Sequence, residues 1–378
     1  MPRLRRSDCS APGITRRRAG RGWSFRAPDG SPVDPVTRER CTALVLPPAW
    51  TDVWICPWPN GHIQALGTDA RGRRQYRYHP AWTARQAERK HDRVIAFAAG
   101  LPELRKHVAA ALTGEGLTRD RVLACAIRLL DLGFFRVGTD EYAETNQTYG
   151  LATLRRDHVT IEATPAGESL TFDYIAKSGK QRVQAIADPD VVQVVRELLV
   201  REDENPELLA WWEDERPRPG GLPDCPAGWH DVKAADINDR LRELTGVDVS
   251  AKDFRTWSAT VLCAVALAVS SRAAATPSAR KRAEARAVAE TARYLGNTPA
   301  VCRASYIHPR LFDLFADRVT IAPVLHDLGT DLDAGDLATQ GAAERAVLEL
   351  LTDPQAARQH ARAEEKSLRR LTTAGSRG

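Results

Sequence analysis

The sequence predicts an α+β protein: a small antiparallel β-rich N-terminal domain, then a larger, mainly α-helical domain that contains one β-hairpin. Three observations carry this prediction. Between Trp23 and about Trp82, short apolar runs are broken by turn residues, the pattern of strands and tight connections. Beyond Ala81 helical segments dominate, opened by capping residues such as Thr118. Within that helical part Leu170, Phe172 and Tyr174 alternate up to the turn Ser178-Gly179, a hairpin signal. A chain of 378 residues has the length for two or three domains and a real core.

The elements follow in order. Residues 1–22 read as a disordered basic arm, since eight arginines fall within the first 26 residues against one acid, Asp8. Val53–Cys56 and His62–Ala65 bracket the turn Pro57-Trp-Pro-Asn-Gly61, and Asp69–Gly72 turns the chain into Arg73–Tyr78. Alternation in that last strand sets Tyr76 and Tyr78 on one face, with Gln75 and Arg77 on the other. Polar and aromatic residues make a poor core strand but a reasonable surface for reading a groove. Ala81–Ala99 is helical and basic, and the N-terminal domain is expected to span 23–105. Thr118 caps Arg119–Asp131, a β interlude covers His158–Ile186, and Asp188–Val200 and Ala234–Leu244 are helices. The turn-rich stretch 216–223 between those two helices reads as a surface loop. The larger domain is expected at 106–325, and 326–378 as a polar helical tail. No internal repeat stands out.

Composition narrows the function classes. No apolar run is long enough to cross a bilayer and the N-terminus lacks a signal-peptide core, so an intracellular protein is expected. The seven cysteines are scattered, odd in number and never in a CxxC pair, which argues against a disulfide framework and a structural zinc. Ser178-Gly-Lys180 is no phosphate-binding P-loop, because the upstream glycine is missing and no helix follows. No acidic metal cluster is evident, and no cofactor is expected. Net charge is +5, and the basic arm with the stripe Arg71 to Arg93 forms a plausible footprint for nucleic acid. The plain alternative is a solvated face.

Four segments carry candidate chemistry. Ala126–Gly138 ends an amphipathic helix and runs through Phe134-Phe135 into Arg136, where a partly buried cation needs an anion: a structural carboxylate or a phosphate. In Leu170–Ile186, Lys177 and Lys180 flank the hairpin tip, as solvated lysines or as groups that reach a groove. Ser250-Ala-Lys-Asp253 is a capping box opening an apolar helix that must be buried almost all round. Lys252 and Arg255 sit in its first turns, where the backbone N–H groups and the dipole also favour an anion. In Tyr294–Pro309, Gly296 stops one helix, Asn297 sits in the joint, Thr298 caps the next helix and Pro299 takes its first position. Pro309 keeps that second helix short, so Tyr306 lies at its end.

In this order and spacing, Arg, Lys, Lys-x-x-Arg and Leu-Gly-Asn-(x)8-Tyr resemble the type IB DNA topoisomerases, in the compact poxvirus-like form found in bacteria. The resemblance runs from about Trp23 to Pro309. Carried over by position, it implies catalytic roles for Arg136, Lys177, Arg255, Asn297 and Tyr306. It implies groove contacts for Gln75, Tyr76 and Tyr78, and DNA contacts for Tyr142 and Lys252. Poxvirus members place histidine where Asn297 stands; asparagine can still donate a hydrogen bond but carries no charge. The implied activity is relaxation of supercoiled duplex DNA without ATP or metal, through a 3′-phosphotyrosyl intermediate. The implied agent is a cytoplasmic, nucleoid-associated monomer that clamps the duplex. Tyrosine recombinases share the Arg, Lys, Arg, Tyr chemistry, but usually carry histidine at the position of Lys252 and a helical domain in front. A DNA-binding relative that has lost catalysis is the other alternative.

Overall fold

The computed structural model describes residues 3–215, 227–271, 273–328, 340–353 and 355. The chain divides into two compact units, residues 1–92 and 93–378, so the division falls inside a helix at residue 92 and not at 105. Among the described residues no helix is long and apolar enough to cross a membrane.

The first unit is built on an antiparallel sheet of β1 (Ile14–Ala19), β2 (Gly22–Arg26), β3 (Thr51–Ile55), β4 (Ile63–Thr68) and β5 (Arg74–Tyr78). Its strand order is β2-β1-β3-β4-β5. Helix α1 (Pro35–Ala43), capped by Asp34, contributes Cys41 to a core with Ile14, Phe25, Ile55 and Ala65. The expectation of a disordered arm over residues 1–22 is corrected here. Residues 14–19 are β1, paired with both β2 and β3, and Arg5 bridges to Gly61. The arginines themselves hold this segment. Arg16 donates to the carbonyls of Leu46, Pro47 and Trp50 at 3.0, 3.0 and 2.8 Å and lies 4.0 Å over Trp23. Arg5 lies 4.2 Å over Trp58. Long arginine stems cover apolar surface while their heads find carbonyls and ring faces, so a basic run can still fold.

β5 is the sheet edge. Tyr76 and Tyr78 are 46% and 43% exposed on the same face, their rings stacked 6.0 Å apart, while Gln75 donates to Asp69. Helix α2 (Pro80–Leu112) follows. Its His91 is buried, and burial with help from Lys90 pulls the imidazole down from 6.5 to about 4. The unfolded chain therefore takes up this proton as pH falls through 6.5, whereas the folded chain resists until about 4. The stability contribution is whole above 6.5 and is lost on descent to 4, a loss of roughly 2–3 kcal/mol. Melting His91→Gln beside the unaltered chain at pH 7 and pH 4.5 is expected to show a flatter pH dependence in the variant. Equal dependence would refute the assignment.

The second unit packs helices around α3 (Arg119–Gly133), whose Val122, Leu123, Cys125, Ala126, Ile127, Leu129 and Leu130 are all buried. Helix α4 (Asp140–Asn146) and the antiparallel sheet of β6 (Val159–Thr164), β7 (Gly167–Ala176) and β8 (Lys180–Ile186) follow. Next come α5 (Pro189–Val200), the pair β9 (Ala210–Glu213) and β10 (Gly228–Asp231), and α6 (Ala234–Thr245). The predicted surface loop at 216–223 lies outside the described residues. Helix α7 (Ala251–Ser270) is buried on nearly every side, as its apolar run requires. The chain continues through α8 (Pro277–Leu295), α9 (Pro299–Ser305), α10 (Arg310–Ala316), α11 (Ala322–Leu328) and α12 (Ala342–Thr352).

Helix α12 corrects the expectation of a merely polar tail. Ala346, Val347, Leu350 and Leu351 are buried in the same core as α3 and α7, and Ala343 is buried as well. Among them Glu344 accepts from Trp257 Nε1 at 2.6 Å and from Arg105 at 2.6 and 3.1 Å. Arg105 is also bidentate to Asp131, at 2.8 and 2.9 Å. Burial alone works against this guanidinium's charge, but Asp131 and Glu344 outweigh it and hold the group above its ordinary pKa. Residues 329–339 and those beyond 355 lie outside the described set.

Candidate active site

The site lies in the second unit, where α3 and α8 both end in left-handed residues. Phe134 follows α3 at φ 53°, and Gly296 follows α8 at φ 65°. Glycine suits such a cap, whereas phenylalanine adopts it at a cost. The gain at Phe134 is that Phe135 turns inward, fully buried and edge-on to Phe172 at 5.1 Å, leaving Arg136 beside the α8 cap. The Arg136 segment is pinned from behind. Its carbonyl accepts from Leu151 N at 2.8 Å, and Ala152 N donates to Val137 O at 2.7 Å. The backbones of Gly138 and Gly150 approach so closely there that a Cβ on Gly138 would stand 2.9 Å from Gly150 Cα.

Helix C-termini leave carbonyls without intrahelical partners and carry partial negative charge. Three arginines use them in succession. Arg182, from β8, donates to Gly133 O at 3.4 Å and Tyr294 O at 3.1 Å. Arg255, from α7, donates to Phe134 O and, at 2.7 Å, to Leu295 O. Arg136 donates to Gly296 O at 3.4 Å and to Asn297 Oδ1 at 2.7 Å. The two helix ends thus hold together cations that would otherwise repel. The strain still registers: burial, then Arg136, lowers Arg255 from its ordinary value to about 10, with Tyr306 opposing. Burial, with Arg136 behind it, lowers Arg182 as well. Tyr174 is raised by burial against the opposing pull of Arg182, Arg255 and Arg136, so its phenol lies in the field of all three.

Tyr306 is delivered by the joint after α8. Asn297 N donates to Ala292 O at 2.9 Å, closing the α8 cap, and Thr298 then caps α9 through Val301 N at 3.3 Å with Pro299 in the first turn. Tyr306 is the residue at which α9 ends, its N–H donating to Cys302 O at 2.9 Å. Thr260, on buried α7, donates to Tyr306 O at 3.3 Å and accepts from His308 N at 3.2 Å. The ring is half-buried, with Arg255 Cζ 5.6 Å and Lys252 Nζ 5.9 Å from its centroid. Two donors of the cluster, Arg255 Nε and Asn297 Nδ2, are buried with no acceptor in the described structure. Such groups are costly unless something else supplies the acceptor.

Of the residues singled out from sequence, the structure brings together Arg136, Arg255, Asn297, Lys252 and Tyr306. It does not gather Lys177 with them: Lys177 is exposed in the loop between Ala176 and Lys180, where Ser178 and Gly179 take φ of 70° and 69°. Tyr142 lies on α4, and its side chain is outside the described set. Gln75, Tyr76 and Tyr78 stand on β5 of the first unit. Asp253 accepts from the Ser250 N–H at 2.9 Å and its hydroxyl at 3.1 Å, and pairs with Arg93 at 3.2 Å. Sequence reasoning missed Arg182 and Thr260. For Arg182 a signal existed, because it shares the inward phase of β8 with Gln184 and Ile186 while Val183 is left 62% exposed.

A family model described as the catalytic core of eukaryotic DNA topoisomerase I matches residues 80–320. A second, described as the N-terminal domain of bacterial DNA topoisomerase IB, matches residues 22–69. A relative named DNA topoisomerase 1B, from Acanthamoeba polyphaga mimivirus, is 30% identical over 281 residues, covering 73% of this chain and 79% of the relative. The class is therefore an isomerase that acts on DNA. The chain belongs to the type IB DNA topoisomerases.

Proposed function

We propose that the chain relaxes supercoiled duplex DNA, as a monomer, by cutting one strand with Tyr306 and resealing it. The observation that carries this reading is the pair of buried, unaccepted donors, Arg255 Nε and Asn297 Nδ2, in the cluster beside the Tyr306 ring. A scissile phosphate placed there would supply the missing acceptor. Attack by the Tyr306 oxygen on phosphorus builds charge on the non-bridging oxygens, and Arg136, Arg255 and Asn297 are the donors fixed in advance to stabilise it. The new bond joins phosphorus to the Tyr306 oxygen, whose own proton is lost to solvent; the bond broken is phosphorus to the 5′-oxygen, a poor leaving group that needs a proton. Lys177 is assigned as that general acid, at the exposed tip of its hairpin. Lys252 adds a phosphate contact near the ring, and Gln75, Tyr76 and Tyr78 offer a second contact face on the first unit. The 3′-phosphotyrosyl ester keeps the bond energy, so resealing by the 5′-hydroxyl needs no ATP.

Incubation with one negatively supercoiled plasmid, without nucleotide and with a metal chelator present, is expected to give a ladder of relaxed topoisomers. An unrelaxed plasmid, or relaxation only with ATP, would defeat the proposal.

A further inference from the structure

We propose that Arg182 is a positioning residue that docks the Lys177 hairpin onto the two helix ends holding Arg136 and Arg255. The inference rests on the reading of Lys177 as general acid. In the β7–β8 register Arg182 faces Tyr174, two residues from the Ala176–Lys180 pair that closes the tip. At about 3.4 Å per residue it grips the hairpin roughly 7 Å behind the loop that carries Lys177.

Each edge of the guanidinium is committed. Nη2 reaches Gly133 O at the end of α3, Nη1 reaches Tyr294 O at the end of α8, and Nε donates to Gln184 Oε1 at 2.8 Å within its own strand. The two helix carbonyls immediately precede those taken by Arg255, Phe134 O and Leu295 O. A displacement of Arg182 is thereby shared with the acceptors of Arg255. Packing alone does not call for an arginine here. Ile186 fills the same inward phase of β8 with an apolar side chain, and a further half-buried cation close to Arg136 is costly. What arginine adds over an apolar residue is a rigid fork that spans two helix ends at once, which a lysine cannot do. The exposed hairpin tip is thus referenced to the same two carbonyl rows as the arginine cluster.

The test measures single-turnover cleavage of one duplex in two forms, one natural and one with the bridging 5′-oxygen of the scissile phosphate replaced by sulfur. A thiolate leaves without a proton, so the sulfur form needs no general acid. Arg182→Ala is expected to cleave the oxygen duplex roughly 100-fold more slowly, the lower end of a general-acid contribution. It is expected to cleave the sulfur duplex within about five-fold of the unaltered chain, since the acid is no longer needed. Arg182→Lys should fall between, and keeps the test alive if the alanine variant folds poorly. Arg255→Ala should be slow on both duplexes, and Lys177→Ala slow on oxygen only. Arg182→Ala slow on both duplexes, or unimpaired on both, would overturn the proposal. Lys177→Ala slow on both would overturn the general-acid reading and the proposal with it, a result distinguishable from failure at Arg182 alone.

Discussion

Substituting phenylalanine for Tyr306 is expected to abolish any covalent protein–DNA adduct while leaving salt-sensitive duplex binding within about two-fold, because phosphate contacts dominate affinity. The expectation follows from how the residue is held. The backbone of Tyr306 is fixed by the end of α9 and by Thr260, and neither tie involves the phenol. Phenylalanine keeps the ring beside Arg255 and Lys252 and removes only the attacking oxygen. The cations around the phenol raise its reactivity as a nucleophile. Denaturing electrophoresis of protein trapped on labelled duplex reads the adduct, and anisotropy across a salt series reads binding. A surviving adduct would mean a different nucleophile. Collapsed binding would mean that the phenol holds the site together.

A second large effect is expected far from the nucleophile, at Glu344. Alanine there leaves Trp257 Nε1 buried without its acceptor and strips Arg105 of one of its two carboxylates. Removing one partner of a buried, hydrogen-bonded ion pair costs about 3–5 kcal/mol, and the remaining Asp131 places this case near the lower bound. For a unit of this size about 3 kcal/mol corresponds to a melting point roughly 6–12 °C lower. Glu344→Gln keeps an acceptor for Trp257 and should recover part of the loss. Calorimetry of the three proteins at one pH makes the comparison; an unchanged melting point in the alanine variant would show that α12 contributes nothing. Trp257 lies two residues beyond Arg255 on α7, so slower cleavage is expected to accompany the lost stability.

What could be read beforehand depended on how local each signal was. The joint from Gly296 to Pro299 states its own geometry, because a left-handed cap, a capping threonine and a first-turn proline are each dictated by backbone chemistry. The edge strand carrying Tyr76 and Tyr78 was equally plain from period-two alternation. The tail was read as helical but merely polar; the apolar stripe of Ala343, Ala346, Val347, Leu350 and Leu351 on α12 was missed because polar neighbours over fifty residues diluted it. The arginines of β1 misled for a different reason. The partners of Arg16, the carbonyls of Leu46, Pro47 and Trp50 and the ring of Trp23, are set by tertiary folding. Arg182 and Thr260 stayed hidden likewise, since their roles consist of carbonyls and backbone atoms that only the assembled helices bring near. The Lys177 hairpin was legible from its alternation and its Ser178-Gly179 turn, whereas the role of Lys177 came through resemblance.

The seating of three arginines on two helix ends also restricts how the gene can change. Adding or deleting one residue near the end of α3 or α8 turns every terminal carbonyl by about 100° around the helix axis. Gly133, Phe134, Tyr294 and Leu295 would then present their oxygens to the wrong neighbours, and Arg182 and Arg255 would lose their footing together. Sequence length can drift in the surface connections of this fold, whereas these two helix ends admit substitution without insertion or deletion.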